Sequence, residues 1–314
     1  MINEFESRIT VEIVTTDIPP PTYGIVLAAG NGRRMAAYIK ENFGVDHPKQ
    51  YVALTGIRSL IRETLDRVET LIPRENILVV VDPSHEQAIL EQLGDRPEES
   101  LIYQPLNRET APGVLLPLSY IYKLDPESIV VIFPSDHYIR EEDHFMEYII
   151  FARRLAYRMP DKVILLGIEP DAPEAEYGWI QPGEQIFEKN GMEISRVSRF
   201  VEKPDPDSAQ LFYEQGYLWN SLVVVCRCST LWNLMRRALP DIHPRFENIL
   251  AAIGTPDEES VILNEYGTML SANLSHDVLE RFPSRLLVAH VKNILWNDLG
   301  NGKRVTELIR KISK

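Results

Sequence analysis

Continuous apolar runs alternate with amphipathic stretches along the first half of the chain. The apolar runs lie at 24–29, 76–82, 128–136 and 162–168. Between them, residues 59–71, 112–124 and 144–157 repeat apolar side chains about every 3.6 residues, as helices with one buried face do. Runs that are apolar at every position are typical of strands buried on both faces of a parallel sheet. The pattern therefore predicts an α/β fold with a mostly parallel sheet covered by helices.

The pattern changes after residue 170, where strand-like segments are joined irregularly and fewer helices are expected between them. These segments lie at 178–183, 193–204, 221–228 and 285–293. We expect them to complete the same sheet and to form one wall of a cleft. The prediction is a single domain over residues 23–314, with halves 23–170 and 171–314.

An arm, residues 1–22, precedes this domain. It contains a strand-like run, Ile9 to Thr15, followed by three consecutive prolines at 19–21. Consecutive prolines favour extended polyproline geometry, so the arm is predicted to be an edge strand or a loose tail.

Composition narrows the class of protein. Of 314 residues, 44% are hydrophobic and 25% are charged, as in ordinary globular proteins. No apolar run reaches the roughly 18 residues that a membrane span needs, and the acidic N-terminus does not resemble a signal peptide. Cys226 and Cys228 lie within an apolar run, so we expect buried, reduced thiols and a cytoplasmic protein. The net charge of −13 argues against a nucleic-acid partner.

A glycine turn follows the first apolar run and carries two arginines. Gly30 and Gly32 match only the first two glycines of a dinucleotide fingerprint, because Met35 occupies the third position, and the turn lacks the Gly-Lys-Ser/Thr ending of a P-loop. Backbone N–H groups at such a strand-to-helix turn can hold an anion. Arg33, Arg34 and Lys49 add positive charge, which indicates a polyphosphate site; the alternative is a solvated charged surface.

Two aspartates follow apolar strand-like segments. Asp136 comes at the end of the run 128–136, and Asp298 follows the segment 285–293 and the aromatic residue Trp296. A pair of carboxylates beside a polyphosphate site is suited to Mg²⁺, provided that the fold brings the two aspartates together. The alternative for Asp136 is the N-cap of a following helix. His137 is expected to support this site rather than to bind the metal.

Taken together, these segments resemble the sugar-1-phosphate nucleotidyltransferases, and most closely mannose-1-phosphate guanylyltransferases. The matching segments occur in the family's order across roughly residues 23–302: LAAGNGRRM (27–35), HPKQY (47–51), RETAP (108–112), PSDH (134–137), YGWI (177–180), FVEKP (200–204), LWNS (218–221) and WNDLG (296–300). The resemblance implies a Rossmann-like, mixed and mostly parallel sheet flanked by helices, of the nucleotide-diphospho-sugar transferase type. One short helix follows WNDLG, so we expect no C-terminal β-helix.

The resemblance also implies a role for each matching residue. Asp136 and Asp298 are expected to hold Mg²⁺, and Arg34, Lys49, Asp136 and Lys203 to be catalytic. Gly178, Glu202, Lys203 and Asn220 are expected to bind a sugar 1-phosphate, in the half 171–314. The half 23–170 is expected to bind a nucleoside triphosphate, with GTP favoured, through Leu27, Ala28, Ala29, Gly30, Asn31, Gly32, Arg33, Arg34, Lys49, Arg108, Glu109, Thr110, Ala111 and Pro112.

Three positions depart from the family's pattern. Arg33 stands where the family has threonine, Glu109 where it has asparagine, and Leu222 where it has glycine. They leave the nucleobase and the sugar open, with GTP and mannose 1-phosphate favoured. A cytidylyltransferase of the methylerythritol-phosphate type and a non-catalytic sugar-nucleotide-binding regulatory protein remain as alternatives. The oligomeric state also stays open, with a homodimer as the alternative to a monomer.

Overall fold

A computed structural model describes residues 20–189 and 191–312, so the predicted strand-like run Ile9 to Thr15 lies outside the described residues. The centre of the fold is a nine-stranded sheet, and two further short strands pair beside it. The strands are β1 (Thr22–Leu27), β2 (Ile77–Val81), β3 (Leu101–Tyr103), β4 (Ile129–Pro134), β5 (Tyr138–Ile139), β6 (Val163–Ile168), β7 (Gly178–Lys189), β8 (Met192–Glu202), β9 (Leu218–Arg227), β10 (Leu286–Val291) and β11 (Trp296–Asn297).

The large sheet is mixed but mostly parallel, as predicted. Its order is β3-β2-β1-β4-β9-β6-β10-β8-β7, and the small sheet pairs β11 with β5. Only β8 and β9 among the strands of the large sheet run against the others, because each pairs antiparallel with all of its neighbours. The carboxyl ends of β1 and β4 therefore meet at one edge, where ligands bind in open α/β sheets.

The helices predicted in the first half are present, with ends that differ from the predicted ones by at most two residues. They are joined by shorter helices that the apolar pattern did not predict. The α-helices are α1 (Ala36–Phe43), α2 (Leu60–Glu69), α3 (Glu86–Leu93), α4 (Thr110–Leu124), α5 (Glu142–Arg158), α6 (Pro206–Glu214), α7 (Cys228–Ala238), α8 (His243–Ala252), α9 (Glu258–Thr268) and α10 (Gly302–Ile312). A π-helix spans Leu274–Leu279.

The expectation of fewer helices after residue 170 was wrong. Helix α6 separates β8 from β9, and α7, α8, α9 and the π-helix separate β9 from β10. Several of these helices are short, and their apolar residues pack on one another as well as on the sheet, which obscures a simple repeat. The predicted strand 221–228 also extends one residue too far, since Cys228 begins α7. Cys226 and Cys228 are free and buried, as predicted.

Alternate residues of each central strand enter opposite cores. In β4, Val131 and Phe133 join the cluster beneath α2, α3 and α5, whereas Val130 and Ile132 join the cluster beneath α4, α7, α8 and α9. A third, smaller core packs α1 against α10 through residues that include Met35, Val305 and Leu308. Met35, at the end of the glycine turn, thus anchors the turn to this third core. None of the helices in residues 20–189 and 191–312 is long and apolar enough to cross a membrane.

The strand pair β6–β9 contains a register shift beside the cleft. The shift lies between Leu165 and Gly167, and beyond it Gly167 faces Asn220. A Cβ atom at Gly167 would lie 2.6 Å from Val288 Cγ2 and 2.8 Å from Leu218 Cδ1. The close approach of these chains therefore requires glycine at this position.

We predict that Gly167→Ala lowers the free energy of unfolding by about 1–3 kcal/mol, because the added methyl group overpacks the sheet. The matched control is Gly267→Ala in α9, where a Cβ would have no neighbour within 4 Å. That change is expected to raise stability by up to about 1 kcal/mol, since alanine favours helix. Urea unfolding measures both values, and a Gly167→Ala protein as stable as the wild type would contradict the packing argument.

Candidate active site

Side-chain hydrogen bonds to backbone carbonyl oxygens fix the conformation of the glycine turn. The Gln50 side chain donates hydrogen bonds of 2.8 Å to the carbonyl oxygens of Ala28 and Gly30. The Ser135 hydroxyl donates to the Leu27 carbonyl at 2.7 Å. Gly32 has a φ of +58°, and a Cβ there would lie 3.2 Å from the Lys49 backbone nitrogen. Glycine at this position thus allows the turn and the lysine segment to approach closely.

Lys49 joins the turn to both predicted metal aspartates. Its Nζ lies 3.0 Å from Asp136 Oδ2 and donates to the backbone carbonyl of Asp298. The lysine is almost fully buried, at 9% exposure. A buried ammonium needs paired acceptors to offset its desolvation, and these two contacts supply them. The structure therefore brings together residues 49, 136 and 298, which are far apart in the sequence.

The Asp298 carboxylate is fixed by three donors at one oxygen. Tyr177 Oη, Arg304 Nη1 and the Gly300 backbone N–H each donate to Asp298 Oδ1 at 2.9 Å. Burial acts to raise the pKa of Asp298, but the charges of Lys49 and Arg304 outweigh burial and hold that pKa below its ordinary value. Asp298 is thus an ionised carboxylate, and these three hydrogen bonds all fall on Oδ1 rather than on Oδ2.

The donor set fits Mg²⁺ held jointly by protein and substrate. Asp136 and Asp298 are hard oxygen ligands, and Mg²⁺ is commonly bound by one or two carboxylates together with substrate phosphates. No group of three or more His, Cys, Asp or Glu side chains suited to a metal occurs in the described part of the chain. The remaining ligands would therefore come from phosphate oxygens and water.

His137 lies behind this site. Its Nε2 is 3.7 Å from Asp136 Oδ1, and its ring packs edge-on against Trp296 at 5.1 Å between centroids. Burial lowers the pKa of His137 below its ordinary value, although Asp136 acts in the opposite direction. The imidazole is therefore neutral near pH 7 and lies between Asp136 and Trp296.

The two arginines of the glycine turn lie at its outer rim. Arg34 Nη1 is 3.3 Å from Glu176 Oε1, and the Arg34 side chain is 60% exposed. Arg33 is also exposed. An exposed ion pair of this kind contributes little to stability, so Arg34 can exchange Glu176 for a phosphate at small cost.

A cavity of about 200 Å³ opens beside the glycine turn. It is lined by parts of the turn and by the start of α4, including Leu27, Ala29, Gly30, Gln104, Glu109 and Thr110. Glu109 has φ 68° and ψ −174°, a backbone conformation that is strained for any residue except glycine. The side chain of Glu109, held by this strained backbone, is exposed at the mouth of the cavity.

The other residues of the RETAP segment bind the protein itself. Arg108 donates to the carbonyl oxygens of Tyr266 and Gly267, and the Thr110 hydroxyl accepts from the Leu274 backbone N–H. The Ala111 N–H donates to the Ala272 carbonyl, and the Pro112 carbonyl accepts from the Tyr266 hydroxyl. The structure thus places Arg108, Ala111 and Pro112 as anchors of α4 on residues 266–274.

The predicted sugar side forms a second group of contacts. A Cβ at Gly178 would lie 2.6 Å from Glu202 Oε2 and 3.2 Å from Asn220 Cβ, so these three residues are in direct contact. Lys203 Nζ lies 2.6 Å from Glu202 Oε1, and the Lys203 side chain is 53% exposed. Asn220 is buried and donates to the Ser275 hydroxyl at 3.4 Å.

Tyr177 connects the two groups. Its hydroxyl donates to Asp298, and its backbone carbonyl accepts from the Lys203 N–H at 3.2 Å. The preceding residue, Glu176, contacts both Arg34 and Arg304. The short segment before β7 therefore links the glycine turn, the aspartates and the sugar side into one cleft.

Sequence reasoning did not identify four residues that shape this site: Gln50, Glu174, Glu176 and Arg304. Gln50 is adjacent to Lys49 in the PKQ motif, and a signal for it was therefore present. Arg304 lies in the last helix, where it looks like one of several surface cations. Only the fold shows that its side chain is buried, at 7% exposure, against Asp298.

Comparison with known proteins finds relatives that match most of this chain. The chain is 29% identical over 292 residues to a mannose-1-phosphate guanylyltransferase of Salmonella muenchen, and 29% identical over 293 residues to one of Escherichia coli K12. Each alignment covers 91% of this chain and 59% of the relative, so the chain spans about three fifths of the length of these relatives.

A solved structure shares the fold. It is a Thermus thermophilus protein described as a mannose-1-phosphate geranyltransferase, with a TM-score of 0.76 and 30% identity. The superposition covers 91% of this chain and 79% of that one. A model of the nucleotidyl transferase family matches residues 23–314. The resemblance inferred from the motifs is confirmed, and this chain belongs to the nucleotidyl transferase family.

Proposed function

We propose that this protein transfers a nucleotidyl group from a nucleoside triphosphate to a sugar 1-phosphate, with release of pyrophosphate. The observation that carries the proposal is the position of Lys49, which contacts Asp136 and Asp298 directly beneath the glycine turn. The turn, the lysine and two carboxylates are the groups that a metal–triphosphate complex requires. The cleft then continues to Glu202 and Asn220, which can bind a polyhydroxylated partner.

The reaction is a displacement at the α-phosphorus. An oxygen of the sugar phosphate forms a bond to that phosphorus, the bond from the α-phosphorus to the bridging oxygen breaks, and pyrophosphate leaves with the electron pair. The attacking phosphate is already ionised near pH 7, so the protein need not supply a base. Its main tasks are to bring two anions together and to stabilise the charge that moves onto pyrophosphate.

The residues divide these tasks. Backbone N–H groups of the glycine turn, with Lys49 and Arg34, would hold the triphosphate. Asp136 and Asp298 would hold Mg²⁺, which when bound supplies charge stabilisation at the phosphates. Lys203 would draw the sugar phosphate towards the α-phosphorus. Its exposed side chain pairs with Glu202 in this structure and can exchange that partner for a ligand. Glu202 and Asn220 would accept and donate hydrogen bonds to sugar hydroxyls beside Gly178.

We favour GTP and mannose 1-phosphate as the substrates. The Salmonella and Escherichia relatives, which are mannose-1-phosphate guanylyltransferases, support both. Glu109 supports guanine independently, because a carboxylate accepts hydrogen bonds from the adjacent N1–H and N2–H groups of guanine. Adenine, cytosine and uracil lack two adjacent donors of this kind. A cytoplasmic location and a homodimer remain predictions from the sequence.

The first test is pyrophosphate release from each of the four ribonucleoside triphosphates with Mg²⁺ and a panel of sugar 1-phosphates. We expect GTP with mannose 1-phosphate to give the highest kcat/KM. Turnover of CTP with methylerythritol phosphate would instead favour the cytidylyltransferase alternative. Nucleotide binding without turnover of any pair would favour a regulatory protein.

In the same assay, Glu109→Gln should reduce the preference for GTP over ATP, because the amide replaces one acceptor with a donor.

A second prediction concerns the metal carboxylates. Asp298→Asn preserves the shape of the side chain but removes its charge, so kcat is expected to fall by about 100-fold or more, since a catalytic metal contributes several kcal/mol. Asp207→Asn, on the exposed face of α6, is the matched control and should leave kcat unchanged. Circular dichroism and thermal unfolding check the fold. A folded Asp298→Asn protein with full activity would remove Asp298 from the metal site.

A third prediction concerns the sugar phosphate. Lys203→Ala should raise the KM for the sugar 1-phosphate by about 10-fold or more, because a hydrogen bond to a charged group contributes roughly 1.5–3 kcal/mol. The KM for the nucleotide should change little. Lys189→Ala, an exposed lysine at the far end of β7, serves as the control. Equal KM values for Lys203→Ala and the wild type would refute the assignment.

A further inference from the structure

Arg304 is a buried cation in the last helix of the described chain. Its guanidinium contacts three acids: Nη1 lies 2.9 Å from Asp298 Oδ1, while Nη2 lies 2.6 Å from Glu174 Oε2 and 3.0 Å from Glu176 Oε2. The same group packs over the Tyr177 ring at 4.5 Å from its centroid. The contact with the Tyr177 ring and the contacts with the three acids together hold the guanidinium in one orientation.

This orientation decides which oxygen of Asp298 can bind a ligand. Arg304 Nη1 shares Oδ1 with the Tyr177 hydroxyl and the Gly300 N–H, so that oxygen already accepts three hydrogen bonds. A Cβ at Gly300 would lie 2.7 Å from Asp298 Oδ2 and 2.9 Å from Arg304 Nη1. A side chain at residue 300 would therefore collide with Oδ2, whereas glycine avoids this collision, and Oδ2 is the oxygen that the carboxylate can offer to a ligand.

Carboxylate geometry distinguishes small from large divalent ions. Mg²⁺ requires a near-octahedral arrangement at short distances, in which one oxygen from each carboxylate can occupy one position. Ca²⁺ accepts six to eight ligands and frequently binds both oxygens of a carboxylate. A carboxylate whose Oδ1 is occupied by three donors cannot turn to bind an ion through both oxygens.

We propose that Arg304 is a positioning residue that restricts Asp298 to one coordinating oxygen and thereby favours Mg²⁺ over Ca²⁺. The inference rests on the metal site of the proposed function. Arg304 touches neither substrate nor metal in this account; it acts through Asp298.

A purely structural role for Arg304 is the alternative. Helix α10, however, has other anchors, since Val305 and Leu308 are buried in the third core. Gly302 also lies against Tyr38, where a Cβ would be 2.3 Å from the ring. The helix therefore has apolar contacts that do not depend on Arg304, and a variant at residue 304 is expected to fold.

The test is a competition experiment that needs no turnover. Mn²⁺ is titrated into the protein saturated with a non-hydrolysable GTP analogue, whose phosphates complete the site, and free Mn²⁺ is measured by electron paramagnetic resonance. Mg²⁺ or Ca²⁺ is then added to displace it. Arg304 carries a charge that acts equally on both competitors, so the ratio of their affinities reports geometry alone. In Arg304→Met, we expect this ratio to shift towards Ca²⁺ by about 10-fold relative to the wild type, which is the lower end of what hydrogen-bond partners of metal ligands contribute to metal affinity.

Two variants serve as controls. Lys303→Met, at the neighbouring and 84% exposed position, should retain the wild-type ratio. Arg304→Lys should recover much of the selectivity, because an ammonium can still donate to Oδ1. A folded Arg304→Met protein with the wild-type ratio, an equal shift in Lys303→Met, or a wild-type protein without a Mn²⁺ site would overturn the inference.

If Arg304→Met does not fold, Tyr177→Phe tests the same claim by removing only the second donor to Oδ1. A smaller shift towards Ca²⁺ supports the inference, and an unchanged ratio overturns it. The result is separable from the proposed function. A wild-type protein that binds Mn²⁺ with this selectivity but forms no nucleotide sugar would refute the function and leave the role of Arg304 standing.

Discussion

A single buried ammonium group organises this cleft. Lys49 Nζ lies between the Asp136 carboxylate and the Asp298 carbonyl, and its backbone packs against the Gly32 position of the glycine turn. A charge buried to this extent is tolerated only when it is paired, so the fold must keep these three segments together to avoid a large desolvation penalty. The same pairing brings a cation and two acids to the carboxyl ends of β1 and β4, where a triphosphate and its metal can be held.

The segment from Glu174 to Gly178 gives the cleft its second wall. Its acids bind Arg304 and Arg34, its tyrosine binds Asp298, and its glycine allows Glu202 and Asn220 to approach. Each of these contacts joins residues that lie more than 20 positions apart in the sequence. In the proposed function, the binding of two anionic substrates depends on a few residues that precede a single strand, β7. Substitutions there are expected to affect nucleotide and sugar phosphate together.

Much of this arrangement could be predicted from the sequence, because the signals that mark it lie within short segments of the chain. Strands buried on both faces are apolar throughout, so β1, β2, β4 and β6 can each be recognised from their own residues. Asp136 follows one of these strands closely. Helices α6 to α9 were missed because their apolar faces are shared among several neighbours. Arg304 was missed because burial of a cation in a polar helix depends on tertiary contacts alone. Leu222, at a φ of +60°, occupies a conformation that favours glycine, which is the residue that the family's pattern has there.

The central claim is that Asp136 and Asp298 hold one metal ion beneath the glycine turn. Crystals grown with GTP and Mn²⁺, with diffraction data collected at the manganese absorption edge, test it directly. The account predicts one anomalous peak about 2.1 Å from a single oxygen of each aspartate, with triphosphate oxygens completing the coordination. A peak bound by only one of the two aspartates, or by neither, would contradict it.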